Sequence, residues 1–257
     1  MERIAVVTDT GSNLSFAQAK ELGIYLLPLQ ITIDETTYQD TLEISTQDIY
    51  NELANGKMPK TSMAAYQKIY DLFEELKKDY DTIFAVPLTN GLSTNASTMQ
   101  SIARELEMNV HVIDMYATCA LEKHVAIWIK RLVDEHKSSE EILKIIQPAI
   151  DESNSLILVK NLQHLKRGGR LTPMAAALAG LLKIYPVLHI NKSTEGRIDV
   201  LNKVRTEKRA DAYAIDKIMD DIDIQHTHIY IIHSNFLEGA DHFKKCWLNR
   251  HIGDLLI

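Results

Sequence analysis

Short β-branched runs alternate along this chain with stretches of helical periodicity, and no other feature narrows its fold as much. The runs are Ile4 to Val7, Tyr25 to Ile33, Thr82 to Val86, Val110 to Ile113, Leu156 to Val159, Tyr185 to Ile190, Arg197 to Val200 and His228 to Ile232. Between them Tyr66, Ile69, Tyr70 and Phe73 form one apolar stripe at amphipathic-helix spacing, and Ala96, Met99, Ala103 and Leu106 form another. Ser138 and Glu141 spell a capping box ahead of Ile142, Ile145, Ile146, Ala149 and Ile150. Parallel neighbours need a crossover connection, so this alternation predicts an α/β protein with a parallel sheet and helices on both faces. The pattern restarts near Leu156 after the helical stretch Thr118 to Asp151. That places a boundary near residue 155, between an N-terminal α/β domain (1–155) and a C-terminal α/β domain (156–257).

Charge and cysteine usage remove several function classes. Twenty-eight Lys and Arg against 35 Asp and Glu leave a formal charge of −7, which opposes the basic footprint that binding to nucleic acid needs. Cys119 and Cys246 lie far apart and outside any metal-ligand spacing, so neither a disulfide framework nor a metal site is expected. The start, Met1-Glu2-Arg3, runs directly into a strand without the regions of a signal peptide, and the expected location is the cytoplasm. The most apolar stretch, Met174 to Leu182, is about half the length that crosses a bilayer. It is expected to be a buried helix, with no stable membrane insertion.

In open parallel sheets, ligands sit beyond the carboxyl ends of the strands. That rule selects Thr8 to Asn13, Pro87 to Asn95 and Asp114, and hydroxyls concentrate there. Thr61 and Ser62, just before the Tyr66 to Phe73 helix, join the set. A hydroxyl at a helix start ordinarily caps its own helix. Two such helix starts side by side, carrying Thr61, Ser62, Ser93 and Thr94, would instead offer O–H and N–H donors to a small anion such as a carboxylate. Lys60-Thr61 mimics the tail of a phosphate-binding loop, but Pro59 occupies its glycine position and no GxGxxG is present, so no nucleotide cofactor is expected. No base stands beside a nucleophile with an orienting partner, so no catalytic residue is assigned. In Leu162 to Pro173, Gly168 and Gly169 are expected to end a short helix with positive φ. Thr172-Pro173 would start the next helix, holding Arg170 on a tight turn suited to pairing with an anion. An anion site together with the apolar Met174 to Leu182 points to an amphiphilic acid as ligand.

At these residues the sequence resembles the DegV family of fatty-acid-binding proteins, which includes the FakB-type subunits of bacterial fatty acid kinase. The resemblance spans nearly the whole chain. It rests on Thr8-Asp9-Thr10, Thr61-Ser62, Gly91-Leu92-Ser93, Asp114, Leu165 to Arg170, and Tyr185-Pro186-Val187-Leu188 followed by Gly196-Arg197-Ile198. It implies a two-domain α/β protein that buries an acyl chain between its domains, with Thr61, Ser62 and Ser93 holding the carboxylate and Arg170 at the mouth. A ligand of the palmitate, stearate or oleate class would gain about 0.8 kcal/mol per buried CH₂. Arg205, within Lys203-Val204-Arg205, looks like the family's basic position that meets a partner kinase. That ATP-binding subunit phosphorylates the presented carboxylate, while the binding subunit is not itself an enzyme.

The chain departs from the family pattern at three places. Thr94-Asn95 stands where Gly-Thr usually follows Gly91-Leu92-Ser93, and Leu121 and Lys123 replace glycines after Asp114. The chain also stops at Leu255-Leu256-Ile257 where the family continues to a His-x-Gly-Pro-Gly segment. It is therefore expected to be truncated or to work without that histidine, with His233 as a conceivable substitute. Two other readings stay open: a stand-alone enzyme acting on a small anionic or phosphorylated substrate with Arg170 as anchor, and a lipid store or sensor without a kinase.

Overall fold

The structure, a computed structural model, describes residues 2–250 apart from 182, 224 and 225. The chain end at Leu255-Leu256-Ile257 and Leu182 thus lie outside the described residues. The chain divides into two compact units. The first comprises Met1–Ser155 and Ile190–Arg197, and the second Leu156–His189 and the chain from Ile198 onward. The division is not a single cut after residue 155, because the turn at 190–197 groups with the first unit.

The first unit is built on a four-stranded sheet in the order β2-β1-β6-β7, formed by β2 (Tyr25–Leu27), β1 (Ile4–Asp9), β6 (Thr82–Val86) and β7 (Asn109–Val112). Each pairing in it is parallel. Alternate residues of β1 and β6 sort the core into two faces, as a period of two requires. Ile4, Val6, Phe84 and Val86 pack with α5 (Ala120–Asp134) and α6 (Ser139–Glu152) through Val125, Ile129, Ile142 and Ile146. Ala5, Val7, Ile83 and Ala85 pack with α3 (Tyr66–Leu76) and α4 (Asn95–Glu105) through Ile69, Phe73, Met99 and Ile102. Both stripes read from the sequence turn to these faces except at Tyr66, which is 45% exposed at the start of α3. The capping box at α6 forms as the spacing requires, with Ser138 Oγ accepting the Glu141 N–H and Glu141 accepting the Ser138 N–H.

Several expectations are corrected. The run Tyr25 to Ile33 is two strands, broken at Pro28-Leu29, where proline lacks the N–H that a continuing ladder would use. Its second half, β3 (Gln30–Ile33), joins a separate antiparallel sheet between β4 (Thr36–Gln39) and β5 (Lys60–Ser62). The stretch Thr118 to Asp151 is two helices, interrupted where His136 takes φ 61°. Residues 228–232 are irregular rather than a strand, because β-branched composition does not itself supply the neighbouring ladder that a strand needs.

The second unit carries β8 (Asn154–Leu158), β9 (Tyr185–Asn191) and β10 (Asp199–Val204) in the order β10-β9-β8, flanked in sequence by α7 (Leu162–Arg167), α8 (Pro173–Leu178) and α9 (Glu207–Asp221). Here β9 and β10 are antiparallel, since the connection between them is a tight turn rather than a crossover helix. That turn begins with Asn191 capping Thr194 and ends with Glu195 and Gly196 in the left-handed region, which delays β10 to Asp199. The apolar stretch from Met174 is helical only to Leu178 and is not buried all round. Ala175 and Leu178 are buried, whereas Met174 and Leu181 are about half exposed at 53% and 52%. Apolar composition sets what burial would gain, not whether a partner surface is present. Among the described residues, no helix is long and apolar enough to cross a membrane.

Candidate functional site

The loops that leave the carboxyl edge of the parallel sheet are organised by one side chain. Asp9, the last residue of β1, is fully buried. Its Oδ1 accepts the Gly11 N–H (2.8 Å), and its Oδ2 accepts both the Leu88 N–H (2.9 Å) and the Asn95 side-chain amide (2.6 Å). Asn95, also fully buried, opens α4, and its Oδ1 accepts the Ala64 N–H (3.3 Å) immediately before α3. One carboxylate therefore ties together the turn after β1, the loop after β6 and the approach to α3. Burial raises its affinity for a proton, and the hydrogen bonds from Leu88 and Gly11 act against that rise.

The predicted hydroxyls fall on two of these segments, but not as helix caps. Thr61 and Ser62 are exposed residues of β5, paired with Ile31 and Gln30, and the N-cap of α3 is Ala65, without a side-chain bond. Thr94 is the N-cap of α4 and makes no capping bond; its hydroxyl donates instead to Met63 Sδ (3.3 Å). Half-buried Ser93 accepts the Asn95 N–H (3.2 Å), which leaves its own hydrogen available to donate. Met63 and Ala64 follow Ser62 directly and contact Thr94, Thr98 and Asn95, so the Thr61-Ser62 and Ser93-Thr94 segments are stitched side by side. Capping and anion binding compete for the same oxygens, and for Thr61, Ser62 and Thr94 the capping role is not the one the fold uses.

Gly91 is held by backbone rather than by space for a ligand. A Cβ there would lie 2.1 Å from the Gly196 carbonyl carbon, so the loop after β6 and the turn of 190–197 interlock within the first unit. Asp114 steadies the same loop, accepting the Asn90 N–H (3.0 Å) and the Tyr116 N–H (2.8 Å).

Arg170 and Arg205 belong to the second unit. Only Gly169 of the predicted glycine pair has positive φ (77°), while Gly168 stays helical at −63°. Thr172 caps α8 with Pro173 at its first position, and its hydroxyl donates to Asp199 (2.5 Å). Its backbone N–H meets the Ile198 carbonyl (2.9 Å). The turn carrying Arg170 is thus pinned to the start of β10, and Arg205 follows the end of that strand. Both arginines are exposed, and Arg170 donates to the Gly168 carbonyl (2.6 Å). His233 is exposed and accepts the Phe236 N–H (3.2 Å). Among the described residues, no group of three His, Cys, Asp or Glu is placed to hold a metal ion.

Sequence reasoning missed Asn95 and Glu122. Asn95 falls within the loop Pro87 to Asn95 and departs from the family pattern, but neither feature announces its bonds to Asp9 and Ala64. Replacing it by alanine removes the bond to Asp9 and leaves the Ala64 N–H without its acceptor. We expect a loss of about 2 kcal/mol, read as a lower urea midpoint with unchanged slope. An unchanged midpoint would show that the stitch contributes nothing.

Comparison with known proteins adds to this geometry. Residues 3–254 match the family model described as "Uncharacterised protein, DegV family". A DegV domain-containing protein of Caldanaerobacter subterraneus subsp. tengcongensis is 32% identical over 240 residues, covering 91% of this chain and 84% of that protein. The fatty acid binding DegV family protein from Streptococcus agalactiae superposes with a TM-score of 0.86 at 28% identity, covering 97% of this chain and 89% of its own. DegV from Bacillus subtilis, described as a fatty acid binding protein, superposes with a TM-score of 0.83 at 26% identity, covering 98% and 90%.

Proposed function

The chain belongs to the DegV family, and from that premise we propose that it binds a long-chain fatty acid whose carboxylate is held by Thr61, Ser62 and Ser93, with Thr94 beside them. The observation that carries the reading is the stitching of these two hydroxyl segments by Asn95 and Met63 at the carboxyl edge of the parallel sheet. Neutral donors satisfy a carboxylate without a buried countercharge, which suits an acid whose remaining surface is hydrocarbon. The solved relatives from Streptococcus agalactiae and Bacillus subtilis, described as fatty acid binding, support the ligand class.

The tail is buried in the protein, and the acid is of the palmitate, stearate or oleate class. Arg170 is the arginine that the family resemblance assigns to the ligand. The bound acid is presented to a separate ATP-binding kinase subunit, which transfers the γ-phosphoryl group to the carboxylate and yields acyl phosphate and ADP. Arg205, exposed beyond β10, is available to dock that subunit.

Native mass spectrometry of protein purified from cells should show a co-purified fatty acid. Ligand-free protein that also fails to take up added palmitate or oleate would overturn the reading. Ser93→Ala should weaken oleate binding by about 0.5–1.5 kcal/mol, the worth of one hydrogen bond, when titrated calorimetrically. An unchanged affinity would remove Ser93 from the site. The kinase step is tested separately, by whether acyl phosphate forms only when a candidate kinase, ATP and the loaded protein are combined, and whether Arg205→Ala suppresses it.

A further inference from the structure

Glu122 lies on the first turn of α5, fully buried, at the carboxyl edge of the parallel sheet. The hydrogen-bonding groups around it are oxygens. Thr8 Oγ1 has one hydrogen to donate and lies 2.7 Å from the Val86 carbonyl oxygen and 3.2 Å from Glu122 Oε1. Glu122 Oε2 receives no hydrogen bond from the described residues. A Cβ placed on Gly11 would lie 2.7 Å from Asp9 Oδ1 and 3.1 Å from Glu122 Oε2, so the two carboxyls converge on one point.

Among the described residues, no cation is one of the groups that act most strongly on Glu122. The titratable groups acting on Glu122 are Asp9 from β1 and Cys119 from the start of α5. Strand β6 and the turn Thr10–Ser12 carry no charge, and the charged residues of α6, the remaining helix against α5, are exposed. An ionised Glu122 would be an unpaired buried anion beside a second one, whereas a protonated one supplies the missing hydrogen. Burial first, and the Asp9 charge second, hold its carboxyl neutral well above the ordinary carboxylate range.

We propose that Glu122 is a positioning residue for the head-group loops: its protonated carboxyl donates to Asp9 and so keeps the one acceptor that joins Gly11, Leu88 and Asn95 in place. Through Asn95 and Ala64 that proton reaches the Thr61-Ser62 segment, and through Leu88 it reaches the loop of Ser93. When Glu122 ionises, two like charges share a dry site and Asp9 is driven from its donors. The two hydroxyl segments then part. Release of a bound acid would accordingly follow the ionisation of a residue that never touches it. The consequence for ligand rests on the fatty acid reading; the role in holding the loops does not.

The test uses the full chain and Glu122→Gln, which keeps shape and an N–H donor but cannot ionise. Infrared difference spectra at neutral pH should show the carbonyl stretch of a buried protonated acid in the wild type and not in the variant. As pH is raised, that band should vanish. At the same pH, amide exchange in peptides covering 62–65 and 87–95, corrected for its intrinsic rise with pH, should accelerate in the wild type alone. Over that interval the wild-type Kd for oleate should rise at least tenfold relative to that of Glu122→Gln, a ratio in which the ligand's own titration cancels. Absence of the acid band at neutral pH would overturn the proposal, and so would exchange that does not follow its loss. If oleate binds neither protein at any pH, the fatty acid reading fails while the band and the exchange still decide the positioning role. Should Glu122→Gln not fold, Asp9→Asn replaces it. Removing the Asp9 charge should let the band titrate at lower pH, and an unmoved titration counts against the pairing.

Discussion

Gly91→Ala should lower the thermal midpoint of the first unit by roughly 10 °C, the equivalent of about 3 kcal/mol or more of stability. The added Cβ would sit 2.1 Å from the carbonyl carbon of Gly196, 2.3 Å from its oxygen and 2.5 Å from the Arg197 nitrogen. Those are backbone atoms, so no rotamer change relieves the overlap and the loop or the turn must move as a whole. Gly196 is constrained in its own right, with φ 74° and Thr89 Oγ1 only 2.0 Å from where its Cβ would be. The change also reaches the candidate site, because the displaced loop carries Leu88 and Ser93. Calorimetry on the variant checks the expectation. An unchanged midpoint would mean that the loop after β6 is free to leave the turn.

Glu122→Gln should stabilise the protein increasingly as pH rises above the ordinary carboxylate range. In the unfolded chain Glu122 titrates near its ordinary value of 4.5, whereas in the folded protein burial raises it well above that. Between those two values the folded state holds the extra proton. The stability this group contributes is therefore complete below about pH 4.5 and declines by about 1.4 kcal/mol per pH unit as pH climbs toward the folded value. Glutamine does not titrate and escapes the decline, so the advantage of the variant should keep growing with pH until the folded carboxyl ionises. Asp9 is present in both proteins. Urea midpoints measured across the range provide the check, and parallel curves for the two proteins would show that Glu122 is ionised in the folded state. A residue that makes its own protein less stable at neutral pH is what a functional device built on burial looks like thermodynamically.

How much could be read in advance varies from residue to residue. Ile4 to Val7 and Thr82 to Val86 were legible as strands because both their faces are buried and neither run is interrupted. Ser138-Glu141 was legible as a helix start because the bonds that make it span three residues. Thr61 and Ser62 were legible as a hydroxyl pair just ahead of α3 but were misplaced as a helix start, since nothing local to them announces the pairing with β3. Glu122 left a faint signal that went unused. It shares a helical face with Val125, Ala126 and Ile129, and an acid on a buried stripe asks for a reason.

Local chemistry thus determined the α/β class, most strand positions and the helix starts at Ser138 and Thr172, because hydrogen bonds between near neighbours and the period of apolar residues are written in consecutive letters. Which oxygens are left to meet a ligand, and which carboxyl keeps its proton, was decided only by tertiary structure. Asp9, Ala64, Asn95 and Glu122 come from four separate stretches of chain, and burial alters their acidity and partners only once the sheet and its helices have brought them together.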